Sequence, residues 1–332
     1  MSQPQGDSEL ADTDTDTDTA VQARLRRDVE TLAAGPRHRA IAGSLASARQ
    51  HCSNELAAAG WSASEQTFTT SPALRMSDAG RPGAPIALRW VPALHGVNVI
   101  ATRGGPPQAG DTYLLAHLDT VRKSPGADDN ASGVAVALEV ARQLRGHAHR
   151  VVIVLTDLEE LGLLGARHLL RSLPRPDLVV CLDAVGYYDD TDRSQALPAG
   201  LGLVLPDVAR AVRDRARRGD FLLVTHRDSS TTFAHRFQAA ADQEGLDTVP
   251  LRDPRWAGRG QRYSRWLNPV LMDLDRSDHS PFWRAQVPAV FLSGTAMLRN
   301  RSYHRATDTS QTLDYSRMAA LAAGLTTSLQ AG

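Results

Sequence analysis

Five short stretches carry residue types that hold divalent cations. They are His117-Leu118-Asp119-Thr120, the run GADDNASG (126–133), Glu159-Glu160 within LTDLEELGLLG (155–165), Asp183 in CLDAVG, and His304 in SYHRATD. Imidazole nitrogen and carboxylate oxygen are zinc ligands, and a catalytic zinc keeps one position open for water. The candidates are His117, one of Asp128 and Asp129, Glu159 or Glu160, Asp183 and His304. Two imidazoles with several acids suit two ions about 3.5–4 Å apart that share one carboxylate. A spare glutamate beside a ligand is then free to act as general base on the water. Asp119 lies two residues beyond His117. In an extended chain both side chains point the same way, so Asp119 is placed to sit behind the imidazole and fix its tautomer. Two adjacent acids directly after the apolar run VVIVLT (151–156) are costly unless a cation or solvent compensates them.

Such residues converge only if several strands end at one edge. The spacing of Val21, Leu25, Val29 and Leu32 predicts a helix over 21–34, and a second over 44–59 ends at Gly60. Strand patterns cover 62–70, 85–92, 96–103 and the run before Asp119. Helix 134–144, strand 150–156, helix 164–172 and strand 178–182 then alternate. Strand-like GLGLVLP (200–206), helix 206–218, strand 221–225, helix 229–245, a helix start within 276–286, strand 287–294 and helix 314–330 complete the chain. Strands apolar on both faces and separated by helices predict a largely parallel sheet covered by helices. Sites in such sheets form at the carboxyl ends of strands, and His117, Glu159/Glu160 and Asp183 fall there.

Composition excludes several classes. Apolar residues make up 42% and charged residues 22%, as in ordinary soluble domains, and the net charge is +0. No global charge draws the chain to nucleic acid or to an anionic membrane. No apolar run approaches the ~20 residues of a membrane helix. The start, MSQPQGDSELADTDTDTDTA, has no apolar core of a signal peptide, so a cytoplasmic location is expected. Its Asp-Thr repeat predicts a disordered acidic tail over 1–20, followed by a single domain over 21–332, with N-terminal helices and edge strands over 21–95 and the metal-binding core over 96–332. Cys52 and Cys181 form no disulfide framework, and Cys181 in LVVCL reads as a buried free thiol.

HLDT, GADDNASG, EELGLLG, LDAVG, SDHSPFW and YHRATDT stand in an order similar to that of the co-catalytic zinc aminopeptidases, metallopeptidase family 28. The resemblance spans about 95–330 and extends through GYYDDTDRSQALPAG (186–200) and TLDYSRMAAL (312–321). It implies a three-layer α/β/α sandwich around a mixed, largely parallel sheet, and a catalytic pair of Zn²⁺ ions. By the same resemblance Asp129 is the bridging ligand, His117 and Asp183 hold one zinc, and Glu160 and His304 hold the other. Glu159 is then the general base, Asp119 orients His117, and Tyr303 donates to the oxyanion. The implied partner is a peptide or small amide substrate, with no nucleic acid and no membrane, and the oligomeric state is left open.

Singly, each of these residues has a plainer reading: a surface histidine, a solvated helix start, a loop cap. Their joint placement at strand ends outweighs it. The other histidines lack that context, and His279 in SDHSPF is either a substrate contact or part of a helix start capped by Ser277 or Asp278. Ser132 and Ser280 lack the strand–elbow–helix setting of a serine nucleophile. The Arg/aromatic stretch over 252–266 reads as a rim loop or an ordinary solvated one rather than a nucleic-acid strip. The alternatives to an aminopeptidase are a single-zinc acyltransferase similar to glutaminyl cyclase, a carboxypeptidase-like deacylase, and a non-catalytic interaction domain. The deacylase ranks low because no lid-sized insert separates Glu160 from His304, and the filled ligand set opposes the last.

Overall fold

The computed structural model describes residues 7–77, 87–144, 150–255 and 269–331. The chain runs through α1 (Asp7–Leu32), α2 (Ser44–Ala58), β1 (Ser62–Thr69), β2 (Ala73–Ser77), β3 (Ala87–Val91), β4 (His95–Thr102) and β5 (Thr112–His117). Then come α3 (Gly133–Gln143), β6 (Val151–Thr156), α4 (Leu164–Ser172), β7 (Leu178–Asp183), α5 (Leu201–Val204), α6 (Pro206–Asp214), β8 (Leu222–His226) and α7 (Thr231–Gln243). The last elements are β9 (Thr248–Arg252), α8 (His279–Arg284), β10 (Ala289–Ser293) and α9 (Tyr315–Gln330).

Eight strands form one sheet in the order β1-β4-β6-β5-β7-β10-β8-β9, while β2 and β3 pair as a separate ribbon. The four central strands, β6, β5, β7 and β10, are mutually parallel, so their carboxyl ends share one edge. β1, β4 and β8 run antiparallel to their inner neighbours, which makes the sheet mixed. Alternation along each strand feeds two cores. Leu114 and Ala116 of β5 join Val21, Leu25 and Val29 of α1 and the buried residues of α3, α7 and α9 on one face. Tyr113 and Leu115 join residues of α4, α6 and α8 on the other. This is the expected α/β/α sandwich.

Three local readings differ. α1 is described from Asp7 and so starts earlier than the Val21 start expected from the apolar spacing. Extending a helix already anchored at Val21, Leu25, Val29 and Leu32 needs no new nucleus. The stretch 200–206, expected as a strand, forms the one-turn helix α5, entered through Gly200 at φ +81° and stopped by Pro206, which starts α6. β2 and β9 were not anticipated; β9 is a short edge strand beside β8 that accommodates Pro250. Among the described residues no helix is long and apolar enough to cross a membrane.

Candidate metal centre

β5 delivers His117 to the sheet edge, and β7 delivers Asp183 two strand spacings from β6, whose end leads into the Glu159-Glu160 turn. The carboxylate of Asp119 accepts from the backbone N–H of Glu159 at 3.0 Å and of Glu160 at 3.4 Å, so it stitches the β5 loop to that turn. His117 is oriented differently from expectation. Its Nδ1 lies 3.0 Å from the main-chain oxygen of Asp119 and 3.8 Å from that residue's carboxylate. The residue is the expected one, but the carbonyl does the orienting because the side chain is committed to the glutamates.

The Asp128-Asp129 pair divides its work. Asp128 Oδ1 accepts from the N–H groups of Gly186 and Tyr187, and Oδ2 from the Asn300 side chain. That carboxylate is spent on joining loops. Asp129 instead faces His117 and His304, on a backbone held by Asp308, whose two carboxylate oxygens accept from Asp128 N and Asp129 N. Ser132 Oγ donates to Asp128 O and accepts from Val185 N, a structural role in a buried site.

The predicted ligands converge as two triads, His117–Asp129–Asp183 and Asp129–Glu160–His304, each with its ligand atoms within 4.8 Å of one another. Asp129 Oδ1 lies 3.1 Å from His117 Nε2, and Oδ2 lies 3.1 Å from His304 Nε2. Asp183 Oδ1 is 3.7 Å from His117 Nε2, and Glu160 Oε2 is 3.3 Å from His304 Nε2. Donors about 2.0–2.1 Å from one tetrahedral zinc stand roughly 3.3 Å apart, so these separations fit the ion. The chemistry of the donors fits as well. Burial opposes charging His117, yet Glu159, Asp129 and Asp183 raise its pKa well above the ordinary value. His304 is raised to about 11 against its burial by Glu160 and Asp129. Asp129 is lowered despite its burial by the two imidazoles. The pocket demands positive charge. His304 Nε2 is buried 3.1 Å from Asp129 Oδ2 and 3.3 Å from Glu160 Oε2 without an aligned hydrogen bond, a spacing that suits a cation among the three.

Glu159 lines the cleft beside these ligands, and burial, followed by Asp183, Asp278 and Glu160, raises its carboxyl well above the ordinary range against the pull of His117. Tyr303 stacks on His304 with ring centroids 3.9 Å apart and lines the same cleft. The same cleft, about 130 Å³ in volume, is also walled by Leu201, Leu205, Val208, Phe221, Leu251 and Phe291. α5 and α6 supply much of that wall, which is why the helical turn at 201–204 matters to the site.

Other candidates are placed elsewhere. His279 is fully buried, stacked on Phe291 and bonded through Nε2 to Leu274 O at 2.8 Å, so it is a core residue rather than a substrate contact. Asp278 occupies the N-cap of α8 without capping it, because its carboxylate accepts from Thr156 Oγ1. Of the Arg/aromatic stretch, 256–268 lies outside the described residues. Arg252 is exposed and paired with Asp228, while Arg255 is buried between Asp253 and Asp275. Sequence reasoning missed Asp308, Asn300 and Asp128 as supports. Asp308 stood in the quoted YHRATDT run, yet nothing in its spacing showed which N–H groups it would meet.

Residues 98–243 match the model for peptidase family M28. An uncharacterised Escherichia coli K12 protein, YfbL, is 30% identical over 271 residues, spanning 74% of this chain and 75% of that one. Among solved structures, a zinc aminopeptidase from Bacillus subtilis superposes with a TM-score of 0.63 at 16% identity, covering 92% of this chain and 93% of its own. A glutaminyl cyclase from Fimbriiglobus ruber superposes with a TM-score of 0.58 at 16% identity, covering 94% and 95%. At these identities the superpositions speak for the fold.

Proposed function

The chain belongs to peptidase family M28, a family of zinc hydrolases, and from that premise we propose that it is an aminopeptidase holding two zinc ions. In this reading His117 and Asp183 hold one ion, Glu160 and His304 the other, and Asp129 bridges them. One observation carries it: the two carboxylate oxygens of Asp129 each stand 3.1 Å from a different imidazole. Zinc bound there supplies Lewis acidity, which polarises a carbonyl and acidifies water. Glu159 takes a proton from the attacking water as the C–O bond forms and passes it to the amine nitrogen as the C–N bond breaks. Its burial beside other acids keeps its carboxyl basic enough to do so. Tyr303 donates a hydrogen bond to the developing oxyanion from the wall it shares with His304. The cavity bounded by Leu201, Leu205, Val208 and Phe291 takes the first side chain of the peptide, so large apolar N-terminal residues are preferred.

The test is zinc analysis combined with a panel of N-terminal aminoacyl substrates. Two zincs per chain are expected, together with loss of activity in chelator and its return with Zn²⁺. Leucyl, methionyl and phenylalanyl substrates are expected to exceed glycyl ones by about 10–200-fold in kcat/KM. Glu159→Gln is expected to lower kcat about 10²–10⁴-fold while retaining zinc. Full activity of a verified metal-free protein sinks the proposal. So does a single zinc per chain with glutaminyl substrates losing ammonia instead of gaining water, the outcome of a cyclase.

A further inference from the structure

We infer that Arg37, which lies outside the segment matched to the family model, is a positioning residue of the metal centre that sets the spacing between His117 and Asp129. The inference rests on the metal-binding reading above. Arg37 sits between α1 and α2 and is 1% exposed. A guanidinium buried this deeply is costly unless paired, and the usual partner is a carboxylate. Here the guanidinium donates to main-chain carbonyls. Nε donates to Leu118 O at 2.8 Å, Nη1 to Leu32 O at 2.9 Å and Pro125 O at 2.8 Å, and Nη2 to Gly126 O at 2.9 Å. The main-chain oxygen of Arg37 accepts in turn from Thr120 N at 3.0 Å.

Those partners are not scattered. Leu118 follows His117, and Thr120 closes the same HLDT loop; Pro125 and Gly126 lead directly into the segment that carries Asp129. One planar fork therefore ties together the two loops whose side chains meet at 3.1 Å in the first triad. The far side of the Asp129 segment is held by Asp308, so the bridging residue is fixed from both directions. Gly126 shows how tight the fit is. It has φ +65°, and a Cβ there would stand 2.3 Å from Asp129 O and 3.1 Å from Arg37 Nη2. The charge matters too, since Asp129, Asp308 and Asp119 are the acids that act on this guanidinium. A lysine has three donors on a single nitrogen and cannot make four bonds spread over a planar fork, and a methionine has neither donors nor charge.

The experiment compares Arg37→Lys and Arg37→Met with Val29→Ala, a core truncation in α1 away from the ligands. Zinc affinity is read by competition with a chromophoric chelator, alongside Tm, kcat and KM. The Arg37 variants are expected to lose about 10–100-fold in affinity for at least one zinc, the range for altering a ligand's support. The loss in activity is expected in kcat more than in KM. Val29→Ala is expected to bind zinc like wild type after a comparable fall in Tm. Wild-type affinity in both Arg37 variants overturns the inference, as does an equal loss in Val29→Ala. Should the Arg37 variants not fold, hydrogen exchange on zinc-free wild type decides. A Thr120 amide already protected without metal supports a preset loop, and one that becomes protected only on zinc loading overturns it. A wild-type protein that takes up no zinc counts against the metal-centre reading instead, so the two failures are distinct.

Discussion

Asp28, His51 and Glu55 bring an imidazole nitrogen and two carboxylate oxygens as close together as His117, Asp129 and Asp183 do. The two clusters differ in who supplies the cation. In the first, Arg142 Nη2 lies 2.7 Å from Asp28 Oδ2 and 2.6 Å from Glu55 Oε2, its Nη1 reaches Glu139, and His51 approaches the other oxygen of Asp28. Arg24 adds two bonds to Glu139, from Nε at 3.0 Å and from Nη2 at 2.6 Å. The positive charge is covalently part of the chain, and the cluster staples α1, α2 and α3. In the second, the ion-pair partners of Asp129 and Asp183 among the described residues are imidazoles, and the surrounding acids drive those imidazoles toward holding charge. What separates the two sets of donors is where the positive charge comes from, an arginine in one and imidazoles in the other, and composition alone does not say so.

The sharpest way to break this contrast is at the shared ligand. Asp129→Asn keeps the shape and removes the charge common to both triads. Zinc stoichiometry is expected to fall and activity to drop by well over the ~10–100-fold that altering an outer partner costs. An Asp129→Asn protein that holds two zincs at wild-type affinity removes the basis of the comparison. The next largest effect belongs to the other cluster. Arg142→Met removes the cation shared by the carboxylates of Asp28 and Glu139, whose side chains are 0% exposed, and leaves Asp28 with His51 and Glu139 with Arg24. Unfolding free energy is expected to fall by roughly 3–5 kcal/mol, with kcat and the zinc content of the cleft unchanged. Added Zn²⁺ should then raise the Tm of Arg142→Met more than that of wild type, because the vacated triad can take an ion. A variant that loses zinc from the cleft instead shows that the clusters are not independent.

Much of the cleft was legible because its signals are local. His117, Glu159/Glu160 and Asp183 each follow an apolar run, and parallel strands with such ends place them at one edge. The supports were not legible, since their partners are main-chain atoms far away in sequence. Arg37 reaches Leu118 and Gly126 across more than eighty residues, and Asp308 reaches Asp128 and Asp129 from the C-terminal side. The role of Asp119 was half legible: its i+2 spacing places it at the imidazole, but not that its carbonyl makes the contact. α5 was misread because alternating Gly and Leu mimics a strand, while Leu201 and Leu205 also share a helical face that borders the cavity.

His279 extends the comparison to an imidazole on which burial outweighs the one acid that acts on it, Asp275. It is fully buried between Trp283 and Phe291, and burial pushes its pKa down to about 4, with Nδ1 left without a hydrogen-bond partner. The contrast with His304, raised to about 11, comes from the carboxylates around the latter. Because the folded protein binds this proton less readily than an unfolded chain with pKa about 6.5, stability from the neutral ring is complete above that pH. It is lost as pH falls from about 6.5 to 4, by at most about 3 kcal/mol, and no further loss comes from this group below pH 4. His279→Phe keeps the ring stack and removes the proton site. The Tm advantage of wild type over His279→Phe is therefore expected to shrink steadily between pH 7 and pH 4. A difference in Tm that stays constant over that range means that the ring is already accessible to protons in the folded state, and that burial does not set its charge.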